Sequence, residues 1–363
     1  MVKYLHIMYL DKFTRDFYDF IVKNFPKEEH AFVFGPYSPQ YIFDANNQQV
    51  LFVTKGHIKQ FLEENPIVMQ WAKECKLIII NGVFGNEHFM RYLPSGALHK
   101  TYLFFWGGDM YSLREKVKWT SFKKRLNQAY RKFIIRHAAG VINLIQGDKE
   151  ALCDICKPKG KFFVAAMANN TVNNKIFDTC ENIKKQDMPI RIMLGNSATP
   201  SNFHREALAF LSKYKDEDIE ILCTLSYGSE SYKNEVIAAG KNIFGNKFVP
   251  ITEYMSKEEY FAILATAKIG VFYNDRQQGM GNINALLRMG SKVYLRKDTA
   301  MWNNFLLEKG YKIFDAHSIK KLSFSEFINF SEEEAMKNQR IHREVSSLDA
   351  YLKQWNEVFN SIQ

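Results

Sequence analysis

Short apolar runs recur along this 363-residue chain, and most are followed by a stretch with helical spacing. A strand that must pass through a helix before the next strand pairs in parallel, because a parallel neighbour requires a crossover. In the first half the expected strands are Tyr4–Tyr9, Ala31–Phe34, Val50–Val53, Leu77–Ile80, Thr101–Phe105 and Val141–Leu144. Helices are expected near Thr14–Asn24, His57–Glu63, Phe89–Leu93, Phe122–Arg136 and Lys149–Cys156. The polar stretch from Asn169 to Pro189 reads as a linker. The pattern then restarts with strands Ile190–Leu194, Ile219–Thr224, Ile269–Phe272 and Lys292–Leu295 and helices Ser201–Tyr214, Tyr232–Ala239 and Lys257–Ala265. The expected fold is α/β, with two doubly wound Rossmann-like domains, 1–185 (joined by 345–363) and 186–344. Ligands then belong at the carboxyl ends of strands, in a cleft between two sheets. The segment Phe324 to Phe359 is expected to be largely helical and to cross back.

Composition narrows the class. With 46% hydrophobic and 24% charged residues the chain is an ordinary globular protein. No apolar run reaches the roughly 18 residues of a membrane-spanning helix. The first residues lack a signal-peptide pattern, so a cytoplasmic location is expected. Five thinly spread cysteines argue against a disulfide framework, and the Cys153/Cys156 pair lacks partners for a metal site. No cofactor and no metal is expected.

The net charge is +10, and the segment Arg114–Arg136, with nine basic residues and one acid, carries +8 of it. Lys116, Lys118, Lys123, Lys124 and Arg125 interleave there with Trp119, Phe122 and Leu126. A basic, amphipathic segment suits an anionic surface, and lipid headgroups rank above nucleic acid because no nucleic-acid motif accompanies the charge. The alternative is a solvated helix face.

Two turns are candidates for anion binding. Ile269–Phe272 runs into Asn274-Asp275-Arg276-Gln277-Gln278-Gly279-Met280-Gly281-Asn282, and a helix follows. Free N–H groups at a helix N-terminus favour a phosphate, glycine permits close backbone approach, and Arg276 adds a cation. The strand Arg191–Leu194 likewise enters Gly195-Asn196-Ser197, then Ser201-Asn202 and His204 at a helix start. A diphosphate held between the turns is the simplest ligand, with Tyr227 in the turn after the next strand added to the donor set. Two ordinary capped turns are the alternative. In the first half, Trp106-Gly107-Gly108-Asp109 ends a strand, and Asp109 is a candidate general base or a helix cap. Asp216-Glu217-Asp218 matches a metal-binding pattern but lies in a charged loop. No P-loop, HExxH, GxSxG or GxGxxG occurs.

At these residues the chain resembles a known family. Trp106-Gly107-x-Asp109-x-Tyr111, Gly195-Asn196-Ser197 with Ser201-Asn202-x-His204, and Arg276-Gln277-Gln278-Gly279-x-Gly281 resemble the bacterial 4-acetamido-4,6-dideoxygalactose (N-acetylfucosamine) transferases of enterobacterial common antigen synthesis. The resemblance implies a GT-B glycosyltransferase whose second domain holds a TDP-sugar and whose first domain holds an undecaprenyl-pyrophosphate-linked glycan. It implies action at the cytoplasmic face of the inner membrane, with Trp106 and Tyr111 on the acceptor side. Departures are Asn81-Gly82-Val83-Phe84 in place of a His-Gly pair, and Ala198-Thr199-Pro200 in place of a more polar run. A UDP- or GDP-sugar donor and a non-catalytic sugar-nucleotide or polyanion-binding protein are the alternatives.

Overall fold

The computed structural model describes residues 1–35, 39–45, 49–53, 58–115, 121–167, 170–180, 183 and 189–362. The apolar runs are strands of two all-parallel sheets, one in each of two compact units. The first unit comprises residues 1–170 and 348–363, and the second comprises 171–347.

In the first unit the strands are β1 (Tyr4–Met8), β2 (His30–Phe34), β3 (Val50–Phe52), β4 (Leu77–Asn81), β5 (Thr101–Phe104), β6 (Gly140–Asn143) and β7 (Lys161–Val164). They lie in the order β3-β2-β1-β4-β5-β6-β7. β2, β4, β5 and β6 are buried along their whole length, because helices cover both faces of the sheet. That is why they read as unbroken apolar runs rather than alternating ones.

The second unit holds β8 (Ile190–Leu194), β9 (Ile219–Thr224), β10 (Phe248–Ile251), β11 (Ile269–Phe272), β12 (Lys292–Leu295) and β13 (Phe314–Asp315). Their order, β10-β9-β8-β11-β12-β13, repeats the plan of the first sheet. Each sheet therefore reverses its direction of growth beside its first strand, between β1 and β4 and between β8 and β11. Ligands of doubly wound sheets bind beyond the carboxyl ends at that reversal.

Several local expectations give way to packing. The Asn-rich stretch expected as a linker contains the helix Asn170–Cys180, whose Phe177 is buried against Phe261, with ring centroids 5.0 Å apart. The single helix expected over Ser201–Tyr214 breaks at Phe203, which takes φ +51, and the α-helix proper is His204–Leu211. Phe89–Leu93 is replaced by a 3-10 segment, Asn86–Arg91, and a helix at Ile67–Glu74 was not anticipated. No helix among the described residues is long and apolar enough to cross a membrane.

The C-terminal segment is helical in three pieces, Phe324–Ile328, Glu332–Val345 and Leu348–Asn360. The first two begin with reciprocal Ser/Glu caps, Ser323 with Glu326 and Ser331 with Glu334. The last returns to the first unit, where Trp355 is fully buried and its indole donates to the Ala166 carbonyl at 2.9 Å. Its ring packs against Phe17 and Phe104, at 5.0 and 5.5 Å between centroids. Trp355→Ala is expected to destabilise the first unit by about 3–5 kcal/mol, read as an earlier urea midpoint with unchanged slope; an unshifted midpoint would show that the helix is not part of that unit's core.

Candidate active site

In the second unit β8 and β11 are neighbours, so the turns that leave them emerge side by side at the reversal. Gly195 donates its N–H to Val271 at 3.1 Å, joining the two strand ends. Its φ is +64, and a Cβ there would fall 2.3 Å from His204 Nε2, so only glycine fits. The Asn202 amide closes the turn: Oδ1 accepts from the Asn196 N–H at 3.2 Å, and Nδ2 donates to the Ser197 carbonyl at 3.0 Å. Gln278 ties the second turn to the first. Its Nε2 donates to Asn196 Oδ1 at 2.9 Å, and its Oε1 accepts from Ser201 at 2.7 Å. Asn196 Nδ2 in turn donates to the Tyr227 hydroxyl at 3.0 Å, which brings in the turn after β9.

The helix after β11 is Met280–Arg288, capped by Gly279 at φ +69. It starts three residues earlier than the helical spacing from Ile283 implied, so Gly281 and Asn282 belong to its first turn. Gly281 is exposed, and a Cβ there would meet nothing within 4 Å. Asn282 Nδ2 donates to the Tyr260 hydroxyl at 2.7 Å, and Tyr260 is hydrogen-bonded to Thr224 at 2.9 Å. Arg276, half-buried, donates to the Gln277 carbonyl at 3.2 Å. Gln277 and Asn274 are buried. His204 lies beneath the turn, fully buried, and burial lowers its pKa to about 4, so its ring is neutral at pH 7. It packs and supplies no cation. The expected donor-side residues thus gather at one end of one unit, around an open helix N-terminus suited to an anion.

In the first unit Asp109 is fully buried. Its Oδ2 accepts from the Val83 N–H at 2.8 Å, and its Oδ1 accepts from Trp106 and Met110 at 2.9 and 3.0 Å. Both oxygens are engaged inside the fold. This is a clamp between the turns after β4 and β5, combined with a cap, rather than a base facing an acceptor hydroxyl. Burial pushes the Asp109 carboxyl up to about 6, against the pull of its N–H partners and Arg131. Arg131 donates to the carbonyls of Val83 and Asp109 and pairs with buried Glu87 at 3.0 Å. It therefore belongs to this clamp and not to an outward basic surface. Tyr111 is also buried, its hydroxyl donating to Asp148 at 2.8 Å. Trp106 remains half-exposed, with its indole donating to Asn81 Oδ1 at 2.7 Å.

Along the helix Phe122–His137, Lys123, Lys124 and Arg125 are exposed, as are Phe122, Leu126 and Phe133. A cavity of about 400 Å³ opens beside Phe133 and Tyr130, lined also by Met90, Leu93 and Leu98. Lys116, Lys118 and Trp119 lie outside the described residues, as does His57. Asp216, Glu217 and Asp218 are exposed just before β9, at the amino edge of the sheet and away from the turns.

Over residues 13–361 the chain matches the family described as 4-alpha-L-fucosyltransferase, glycosyl transferase group 56. The chain belongs to this family. Solved structures agree in fold. A glycosyltransferase from Rickettsia africae is 14% identical, with 99% of this chain and 98% of that one covered and a TM-score of 0.65. Sucrose-phosphate synthase from Thermosynechococcus elongatus is 10% identical, with 99% of each chain covered and a TM-score of 0.66. Anabaena HepE, in complex with UDP and glucose, is 14% identical, with 99% and 100% covered and a TM-score of 0.64. The protein is a glycosyltransferase with the GT-B fold.

Sequence reasoning missed Glu87, Asp148 and Tyr260, and named Asn81 and Asn274 only within longer stretches, without a role of their own. Asn81 and Asn274 carry a usable signal, a buried amide at the carboxyl end of an apolar strand. Asp148 is 2% exposed, and burial, countered by the Tyr111 hydrogen bond, pushes its carboxyl up to about 7. Between the usual value of about 4 and that figure, the folded chain holds a proton that the unfolded chain has lost. The contribution of Asp148 to stability therefore falls as pH rises from about 4 through about 7. Asp148→Asn is expected to gain on the wild type over that window by on the order of 3–4 kcal/mol, measured by denaturation of both proteins at each pH. Comparison at matched pH cancels the opposite trend of buried His30 and His342. A pH-independent difference would remove the buried proton from Asp148.

Proposed function

We propose that this glycosyltransferase moves a 4-acetamido-4,6-dideoxyhexosyl (N-acetylfucosamine-like) group from a TDP-sugar to an undecaprenyl-pyrophosphate-linked glycan in surface polysaccharide synthesis. The observation that carries this reading is the meeting of both predicted anion turns at the reversal point of the second sheet, joined by Gln278 and Asn196. There the N-terminus of the helix Met280–Arg288 and the Arg276 guanidinium stand ready for the negative charge that develops on a departing nucleoside diphosphate. Gly195, Asn196, Ser197, Ser201, Asn202, Gln277, Gln278, Gly279, Gly281 and Asn282 shape the seat. Tyr227, half-exposed and tied to Asn196, borders it. His204 supports the turn from below. Asp109 enters as a positioning residue of the acceptor unit, since its carboxylate is occupied by backbone N–H groups.

A UDP-sugar is the second reading, favoured by the UDP bound in the HepE structure. Ranking TDP, UDP and GDP by thermal shift separates the two, and UDP stabilising more than TDP would displace the first. Arg276→Ala is expected to weaken TDP binding by roughly ten- to a hundredfold, the worth of a charge-assisted contact, with the melting temperature unchanged. Unaltered affinity by calorimetry removes Arg276 from the seat.

The helix Phe122–His137 holds no acidic residue and exposes Phe122, Leu126 and Phe133 beside its cations. That composition supports peripheral docking on the anionic cytoplasmic face of the inner membrane, where the lipid-linked acceptor resides. Changing Lys123, Lys124 and Arg125 together to Gln is expected to lower binding to anionic vesicles by roughly a hundredfold or more at physiological salt; undiminished co-sedimentation counts against this surface.

A further inference from the structure

The reversal point of the first sheet, between β1 and β4, is built differently from that of the second. Three aromatic rings gather there around one indole. Trp106, at the end of β5, is met nearly edge-on by Tyr9 at 6.3 Å, Phe13 at 6.1 Å and Phe84 at 5.9 Å between centroids. Tyr9 and Phe84 are themselves 5.4 Å apart. These rings come from the turns after β1, β4 and β5, three adjacent strands of the sheet. Phe84 is 44% exposed, and Tyr9, Phe13 and Trp106 are half-buried. Rings gathered only to fill a core would be covered.

Much of the local chemistry holds these rings in place. Gly82 has φ +77, and a Cβ there would come within 2.9 Å of Tyr9 and 3.2 Å of Trp106, so the turn after β4 can approach the indole only as glycine. Asp109 binds the N–H of Val83, which precedes Phe84, and the N–H of Trp106 itself. Arg131 takes the Val83 carbonyl from the other side. Beside the indole, Asn81 is fully buried. Its Oδ1 accepts from Trp106 Nε1, but its Nδ2 has no hydrogen-bond partner among the described residues. A buried amide donor without a partner costs about 1–3 kcal/mol, a cost that a bound oxygen acceptor would relieve.

Fixed aromatic faces plus an unmet amide donor at a strand-end reversal match one ligand chemistry. A pyranose presents a face of polarised C–H bonds, which lies well on an aromatic ring, and a rim of hydroxyl or acyl oxygens that accept hydrogen bonds. We propose that Phe84, Trp106 and Tyr9, with Asn81, form the platform on which the transferase seats a sugar ring of its acceptor glycan. This rests on the transferase reading above and adds the residues that would recognise the acceptor. Asp109 and Arg131 act through the platform by fixing Phe84 against Trp106, without touching the sugar.

The test uses the full chain and two separate titrations, one with TDP and one with a water-soluble disaccharide diphosphate of N-acetylated pyranoses, on wild type, Phe84→Ala and Phe84→Trp. Phe84→Ala removes an exposed ring, so the fold is expected to persist. Its disaccharide affinity is expected to fall about tenfold while TDP affinity holds, and Phe84→Trp is expected to restore the saccharide. Equal disaccharide affinity in wild type and Phe84→Ala overturns the platform. A wild type that binds TDP but not the disaccharide also overturns it, leaving the donor seat intact. Loss of saccharide binding in Phe84→Ala by a protein indifferent to TDP would uphold the platform and sink the donor seat instead.

Discussion

Both sheets depend on one constraint: a parallel strand cannot follow its neighbour without a crossover, and the crossover helices must cover both faces. The chain meets it in each unit by laying its first strand in the middle and building outward in one direction, then in the other. Two consequences follow from that order. The central strands lose most of their contact with water and carry mainly apolar residues. The two turns at the reversal, one on either side of the first strand's carboxyl end, have no helix packed between them and are free to carry polar side chains. Each unit spends that freedom differently.

In the second unit the turns are held by neutral amides. Asn196, Asn202 and Gln278 donate and accept at once, so each can satisfy a turn from both directions without introducing a charge, and Asn274 donates to the Gln278 carbonyl. A carboxylate in their place would bind N–H groups more strongly but would repel an incoming diphosphate. With amides as the frame, the positive end of the helix dipole and Arg276 set the local field. The neutral His204 fits the same pattern, because a buried cation beneath the turn would need a permanent partner whether or not a ligand were bound.

The parts of this architecture that could be read from the sequence were those under the strongest constraint. β1, β2, β4, β5 and β6 show as apolar runs because both faces are covered. The strands that escaped notice, β7, β10 and β13, all lie at sheet edges, are half-buried, and in β10 tolerate Pro250 where a central strand would not. Both glycine turns were legible because glycine and polar residues directly after an apolar run leave few alternatives; the two doubly wound units came from the alternation of strands and helices, and the GT-B plan from the family resemblance. The hydrogen-bond partners were not, since Tyr260 reaches Asn282, and Thr224 reaches Tyr260, from elements distant in sequence. Asp109 shows the sharper limit. A carboxylate two residues past Gly107 has the same spacing whether it faces a substrate or turns inward to bind Val83 and Trp106, and only the fold decides between them.

That inward turn explains how the first unit holds buried carboxylates at its reversal, where the second is framed by buried amides. Asp109, Glu87 and Arg131 form an inward-facing set in which the carboxylates meet backbone N–H groups, Glu87 pairs with the guanidinium, and burial has pushed Asp109 toward neutrality. Such a set is mechanically stiff: all three members hold backbone of the turn after β4, Asp109 also holds that after β5, and removing Arg131 leaves buried Glu87 unpaired at a cost of about 3–5 kcal/mol. Stiffness suits a surface that recognises an uncharged ring by shape, where a displacement of about 1 Å forfeits much of the dispersion contact. On the proposed reading a diphosphate would be held through charge, which falls off slowly with distance, so a frame of amides would suffice for it.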